Sequence, residues 1–317
     1  MHFALPPRKT SHPPPYASRS LRSTSLRRKR LQFGAIIACA ALGLIFLLSR
    51  IFSSSWADRP PAGTPEVVLV TTIDDKAYSK DYVEKVKRNR QDYASRHETL
   101  VGYVAFFPLV TDYDLKRYPS SWSKVPAVRH AMTLYPHTTY FFFLDQHALI
   151  ANPSLSITEH VMSPHRLESL MVKDQPVVPP DSIIKTFSHL KGENVDLVLT
   201  QDKDGLSHKS FIIRNGNWAK YFLDTWFDPL YRSYNFQKNE AHALEHIVQW
   251  HVTILAKLAL VPQRTINSYS VDAADHDDNG LYRDGDFVVH FEGCDLGGKR
   301  DCEKELAPYY QALVKTQ

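Results

Sequence analysis

The sequence predicts one α/β domain with a parallel sheet, carried behind a single N-terminal membrane-spanning helix. Three observations support this. Glu66–Ile73 is a β-branched apolar run that reads as a buried strand. Tyr140–Leu144 is an aromatic run without internal charge, as expected of a central strand covered on both faces. Around and between them, strand-like and helix-like segments alternate, the signature of crossover connections in a parallel sheet.

The chain has 317 residues, 43% hydrophobic and 23% charged, which is ordinary for a folded protein. Its first thirty residues are not ordinary. They hold Arg8, Lys9, Arg19, Arg22, Arg27, Arg28, Lys29 and Arg30, no acid, and the run Pro13-Pro14-Pro15. Residues 1–30 cannot bury a core and are expected to form a disordered basic tail. These charges exceed the net +4 of the whole chain, so the remainder is slightly acidic. A nucleic-acid-binding reading is thereby set aside.

Leu31–Leu48 carries no charge. Roughly 20 apolar residues cross a bilayer, and residues 31–52 supply them, with Arg50 able to snorkel to the interface. The basic cluster before the span places the amino end in the cytosol and everything after it in the lumen. The long basic leader favours an uncleaved type II anchor over a signal peptide cut at Ser55-Trp56-Ala57. Residues 53–65 are then a short stem and residues 66–317 the lumenal domain. In that oxidising compartment Cys294 and Cys302 are expected to pair, while Cys39 lies in the span. The one candidate glycosylation triplet, Asn152-Pro153-Ser154, is blocked by its proline.

Within the domain, Lys80–Arg96 reads as a helix, Thr99–Phe106 as a second strand, and Trp122–Met132 as a helix interrupted near Pro126. Strands follow at Asp196–Gln201, Ser210–Arg214 and Asp286–Glu292, with a long helix over Glu240–Leu260 that stops before Pro262. Asp145 ends the aromatic strand, where open α/β sheets bind ligands. His147 lies two residues on, so both side chains leave an extended chain on the same side.

Five ordered blocks resemble glycosyltransferase family 34: Tyr140–Ser154, Leu197–Asn215, Trp218–Pro229, Glu240–His246 and His290–Cys294. The wording is most similar to the α-1,6-mannosyltransferase subunits of fungal Golgi mannan polymerase complexes. The resemblance implies a GT-A fold of Rossmann type, GDP-mannose as donor, retention of anomeric configuration and a manganese cofactor. It implies a mannan chain on N-glycans as acceptor, further mannosyltransferase subunits as partners and a Golgi membrane location. Three positions depart from the family pattern. His147 stands for the second Asp of an Asp-x-Asp motif, Lys209 for a Gly beside the donor sugar, and Ala241 for a Gln.

The metal set expected from the resemblance is Asp145, His147 and His290. A divalent ion there neutralises the leaving diphosphate as a Lewis acid, and imidazole is an acceptable ligand for it. Lys124, Arg129, Gln201 and Lys209 are expected on the donor, with Asp202 near substrate and Glu240 as the catalytic carboxylate. His242-Ala-Leu-Glu245-His246 also spells the inverted zinc-peptidase pattern, but the family wording already accounts for this helix. Two alternatives stand beside the mannosyltransferase: a UDP-sugar (galactosyl) transferase, and an inactive subunit that positions acceptor within such a complex.

Overall fold

The computed structural model describes residues 21–57, 61, 63–97, 103–108, 115, 118–178, 182–234, 236–273, 279–296 and 299–316. These fall into two compact units, Met1–Arg59 and Pro60–Gln317. The first is helix α1 (Leu21–Ala57). Its stretch Arg28–Ser49 is long and apolar enough to cross a membrane, and none of it is buried against protein. The helix starts inside the basic segment, ahead of Leu31; residues 1–20 of the expected tail lie outside the described residues.

The second unit runs β1 (Val67–Ile73), α2 (Lys80–Arg96), β2 (Tyr103–Pro108), α3 (Lys124–Leu134), β3 (Tyr140–Leu144), β4 (Ala148–Ile150), α4 (Pro164–Leu170), β5 (Leu197–Asp202) and β6 (Gly205–Arg214). It continues with α5 (Asn217–Trp226), α6 (Pro229–Ser233), α7 (Asn239–Trp250), α8 (Val252–Leu255), β7 (Leu258–Val261), β8 (Ser268–Tyr269), β9 (Val288–His290) and α9 (Cys302–Thr316). Six strands form the main sheet in the order β2-β1-β3-β6-β5-β7. β1 pairs parallel with β2 and β3, and β5 with β7; β6 runs antiparallel to both its neighbours. A second sheet, β4-β9-β8, stands beside it.

The alternation of β1 and β3 shows why they read as unbroken apolar runs. Val68, Val70, Phe141 and Phe143 enter a core with α3, α5 and α7 on one face. Val67, Leu69, Phe142 and Leu144 enter a separate core on the other. A strand covered twice has no solvent side on which to place polar residues. A third cluster joins α2 to the second sheet and α9 through Val86, Leu149, Phe291, Cys294 and Cys302. Cys294 and Cys302 are joined by a disulfide, S–S 2.01 Å, that ties the segment after β9 to the start of α9.

Several sequence expectations are corrected. The sheet is mixed rather than parallel: only Lys203 and Asp204 link β5 to β6, and so short a loop can only close an antiparallel hairpin. Pro126 does not interrupt α3, because it falls in the first turn, where its missing N–H has no intrahelical partner to lose. The long helix expected over Glu240–Leu260 ends at Trp250. Leu258–Val261 forms β7, drawn out by pairing with β5 and by complete burial. The second strand begins at Tyr103, and 98–102 lie outside the described residues.

Candidate active site

β3 delivers Asp145 to the sheet edge beside β6, where its N–H donates to the Lys209 carbonyl at 2.9 Å. The chain then turns, with the Ala148 N–H donating back to the Asp145 carbonyl at 3.2 Å, and enters β4. Antiparallel pairing sets Ala148 opposite His290 on β9, and the Phe291 N–H donates to the His147 carbonyl at 2.8 Å. This short ladder brings His290 to Asp145 from the far end of the domain.

Helix α2 clamps the turn. The Tyr82 hydroxyl donates to the Gln146 carbonyl at 3.0 Å, and the Arg90 guanidinium to the Asp145 carbonyl at 2.8 Å. Asn89 donates to the Ile150 carbonyl at 3.0 Å and accepts from its N–H at 2.9 Å. Arg90 is wholly buried, and burial lowers its pKa to about 10.

Asp145 Oδ1 lies 2.9 Å from His147 Nδ1 and accepts the His147 N–H at 2.9 Å. Burial by itself would raise the Asp145 pKa. His147, His290 and Lys124 outweigh it and hold the carboxyl well below the usual carboxylate range. His147 shifts up in return: burial opposes its charge, but Asp145 overrides it. Its other nitrogen, Nε2, meets the Tyr78 hydroxyl at 2.7 Å, so both ring nitrogens are engaged.

His290 differs. It is 0% exposed, and its Nε2 makes no hydrogen bond among the described residues, facing Asp145 Oδ1 at 4.0 Å. Small divalent ions bind nitrogen and oxygen at roughly 2.1 Å, so this gap admits one ion between an unspent imidazole lone pair and a carboxylate. Behind it, His290 Nδ1 lies 3.2 Å from Glu292 Oε2, although their geometry misses a hydrogen bond. That is the carboxylate–histidine arrangement that orients a metal ligand. Asp145 and His290 therefore fit the implied ion. The cluster of His147 with Cys294 and Cys302 does not, because its sulfurs are spent in the disulfide.

Across the cleft sits Glu240, at the start of α7. Oε1 accepts from the Lys124 ammonium at 2.8 Å and lies 3.0 Å from His208 Nε2, while Oε2 accepts from the Ser121 hydroxyl at 2.7 Å. Burial would raise its pKa, yet Lys124 first and His208 next drive it below the usual range. A carboxylate so held is a poor general base and a good fixed negative charge. Lys209 reaches Glu292 at 2.5 Å. Asp202 accepts from the Tyr269 hydroxyl at 2.5 Å, and burial raises its pKa.

Two adjoining cavities, of about 380 and 170 Å³, share Ser121, His208, Lys209 and Glu240 in their walls. The larger also meets Asp202 and Glu292, the smaller Lys124, Asp145 and His147. Lys124, Lys209, Asp145, His147, Asp202 and Glu240 thus converge as the sequence expects.

Arg129 does not. It lies on the other side of α3, paired with Asp224 at 3.0 Å in a separate depression, because five helical residues turn it away from Lys124. Gln201 is also elsewhere: its amide donates to the Pro176 and Val177 carbonyls at 2.7 and 2.9 Å and tethers a loop. The zinc pattern does not assemble, since Glu245 is buried and accepts the Leu206 N–H at 3.3 Å, with His246 exposed. Sequence reading missed His208, Ser121, Tyr78 and Glu292. Only Glu292 carried a signal, standing two residues beyond His290 and so on the same side of an extended chain.

Comparison with known proteins decides the family. Residues 63–301 match the galactosyl transferase GMA12/MNN10 family, Glyco_transf_34. The chain belongs to glycosyltransferase family 34. It is 33% identical over 253 residues to an uncharacterized alpha-1,2-galactosyltransferase of Schizosaccharomyces pombe, covering 77% of this chain and 74% of that protein. It is 32% identical over 275 residues to the probable alpha-1,6-mannosyltransferase MNN11 of Saccharomyces cerevisiae, covering 81% and 64%. MNN10 of the same yeast, also a probable alpha-1,6-mannosyltransferase, is 32% identical over 240 residues, covering 72% and 58%. The chain thus aligns with less than two thirds of either yeast mannosyltransferase. A glycosyltransferase involved in glycosylation of the PBCV-1 major capsid shares the fold, with TM-score 0.50 and 12% identity, covering 78% of this chain and all of that one. This family 34 chain is a glycosyltransferase on a mixed α/β fold.

Proposed function

We propose that this chain is a retaining α-1,6-mannosyltransferase that moves mannose from GDP-mannose to a mannan chain on N-glycans, as one subunit of a Golgi complex. The observation that carries the reading is one cleft lined by Asp145, with the His290 nitrogen facing it from the interior, and by the Lys124–Glu240 pair. The relatives MNN10 and MNN11 favour mannose and the α-1,6 linkage. α1 serves as a type II anchor, with residues 66–317 lumenal as a GT-A domain.

In the reaction the bond between sugar C1 and the diphosphate oxygen breaks. A bond from C1 to the acceptor hydroxyl oxygen forms on the same face, and the hydroxyl proton passes to the departing phosphate. Lys124 and Lys209 bind the diphosphate. Glu240 stays ionised and stabilises the positive charge that develops at the sugar ring. Asp202, in the wall of the larger cavity, contacts the sugar hydroxyls. Asp145 and His290 would hold a divalent ion, manganese as the family resemblance implies, and it would supply Lewis acidity toward the leaving group.

A second reading, transfer of galactose from a UDP-linked donor, is favoured by the similarity to an alpha-1,2-galactosyltransferase. The test is transfer by the detergent-purified full chain, alone and with its co-purifying proteins, from GDP-mannose or UDP-galactose to an α-mannoside, with linkage analysis of the product. Transfer from UDP-galactose alone overturns the donor assignment. Transfer by the complex that survives Asp145→Ala makes the chain a positioning subunit.

A further inference from the structure

The second half of the zinc-like pattern leads to a different site. His242, His246 and Trp250 are spaced four apart on α7 and so share one face. That face is lined with rings. His242 packs on Phe236 at 6.3 Å between centroids, His246 on Phe236 at 6.3 Å, on Tyr231 at 5.7 Å and on Trp250 at 6.0 Å. Tyr234 completes the row against Phe236 at 4.9 Å. Tyr231 and Phe236 pack partly against the core, whereas Trp250 is 73% and Tyr234 66% exposed.

The row follows along α7 from the wall of the cleft. Lys238 and Asn239, in the wall of the larger cavity, immediately precede Glu240 at the head of the same helix, and the Lys238 N–H donates to His242 Nδ1 at 3.3 Å. From Asn239 to Trp250 the helix rises about 16 Å, the reach of a short oligosaccharide rather than of one sugar.

We propose that this ring-lined face of α7 is a carbohydrate-stacking track that carries the acceptor oligosaccharide away from the cleft. The ligand class follows from the chemistry. Pyranose rings present flat C–H faces that stack on aromatic planes, and their edges present hydroxyls that need nearby donors and acceptors. The track offers rings tilted against one another, the exposed Trp250 and Tyr234 among them, with imidazole nitrogens along it. Burial foremost lowers the pKa values of His242 and His246, which favours neutral imidazoles beside an uncharged glycan. The inference deepens the proposed function and rests on its glycan acceptor, but not on the identity of the donor.

The experiment compares the full chain with Trp250→Ala and His246→Ala, both at exposed positions. Binding of an α-linked mannose disaccharide and hexasaccharide is followed by saturation-transfer NMR without donor, and transfer to each is followed with GDP-mannose. The unaltered chain should bind the hexasaccharide more tightly than the disaccharide, and each variant should cut that preference about tenfold, as loss of one stacked ring implies. Equal affinity for both lengths in the unaltered chain overturns the track. So does an unchanged preference in both variants, including the case where Trp250→Ala instead releases co-purifying proteins, which makes the face a protein interface. If the unaltered chain transfers no mannose but its length-dependent binding falls in the variants, the track stands and the mannosyltransferase reading fails.

Discussion

His290 Nε2, buried behind the cleft, and Asp145 Oδ1, in its wall, face one another at 4.0 Å, and that nitrogen has no hydrogen-bond partner among the described residues. A lone pair left unpaired in the interior is costly, so the pair is poised to share a cation. Asp145→Ala and His290→Ala should each abolish Mn²⁺ binding measured by calorimetry in the presence of GDP. Glu292→Gln should weaken it by roughly tenfold or more, as loss of an orienting carboxylate does. His147→Asp should retain or raise affinity, because it adds an anionic oxygen for a hard ion. Unchanged binding in the His290 variant would exclude this centre.

The buried pair Lys124–Glu240 predicts an asymmetric response to mutation. Its side chains are 5% and 3% exposed. Glu240→Gln leaves an ammonium without its charge partner and should cost about 3–5 kcal/mol, read from denaturant unfolding. Lys124→Met combined with Glu240→Leu should cost less than either single change, since no lone charge remains.

The same pair sets a pH dependence. The folded-state pKa of Glu240 lies below its unfolded value, so below roughly pH 4–5 the unfolded chain takes up the proton first. The stabilisation is complete above that range and is lost progressively as pH falls below it, through the lower folded-state pKa. Acid unfolding midpoints should therefore be less pH-sensitive in the double variant; an identical pH profile would show that Glu240 contributes nothing.

Much of this arrangement was legible because it depends on local pattern. The aromatic strand and its terminal Asp145 followed from an uncharged run, and α2 spans Lys80–Arg96 as the sequence reads. What stayed illegible depends on pairing between distant segments. β7 looks helical in isolation, and only its partner β5 pulls it straight. Arg129 and Lys124 looked equivalent until α5 supplied Asp224 as a partner for Arg129. His208 and Ser121 meet Glu240 only in the folded chain, and no spacing announces them.

Arg90 makes a prediction that separates positioning from stability. Its guanidinium holds the Asp145 carbonyl from α2, so Arg90→Lys keeps a charge but loses the planar fork. We expect a drop in Mn²⁺ affinity at constant GDP larger than that of Asn89→Asp, which disturbs the neighbouring bonds to Ile150 instead. Equal losses in affinity and in melting temperature for the two variants would mean that α2 merely packs the turn.

Gly205 gives the sharpest structural test. It opens β6 with φ +123°, a backbone state L side chains rarely adopt, and an added Cβ would lie 1.9 Å from Glu245 Oε1. Glu245 is itself buried and accepts the Leu206 N–H, so it has little room to retreat. Gly205→Ala therefore combines backbone strain with a clash and should destabilise by about 1–3 kcal/mol or more. Glu245→Ala removes the clash but not the strain. The double variant Gly205→Ala with Glu245→Ala should thus recover part of the loss relative to Gly205→Ala alone, measured by thermal unfolding of the full chain. Because the β5–β6 hairpin also carries Asp202, His208 and Lys209 into the cleft wall, the single variant should weaken donor binding as well. Full recovery in the double variant would assign the whole effect to the clash, and no recovery would assign it to the left-handed backbone.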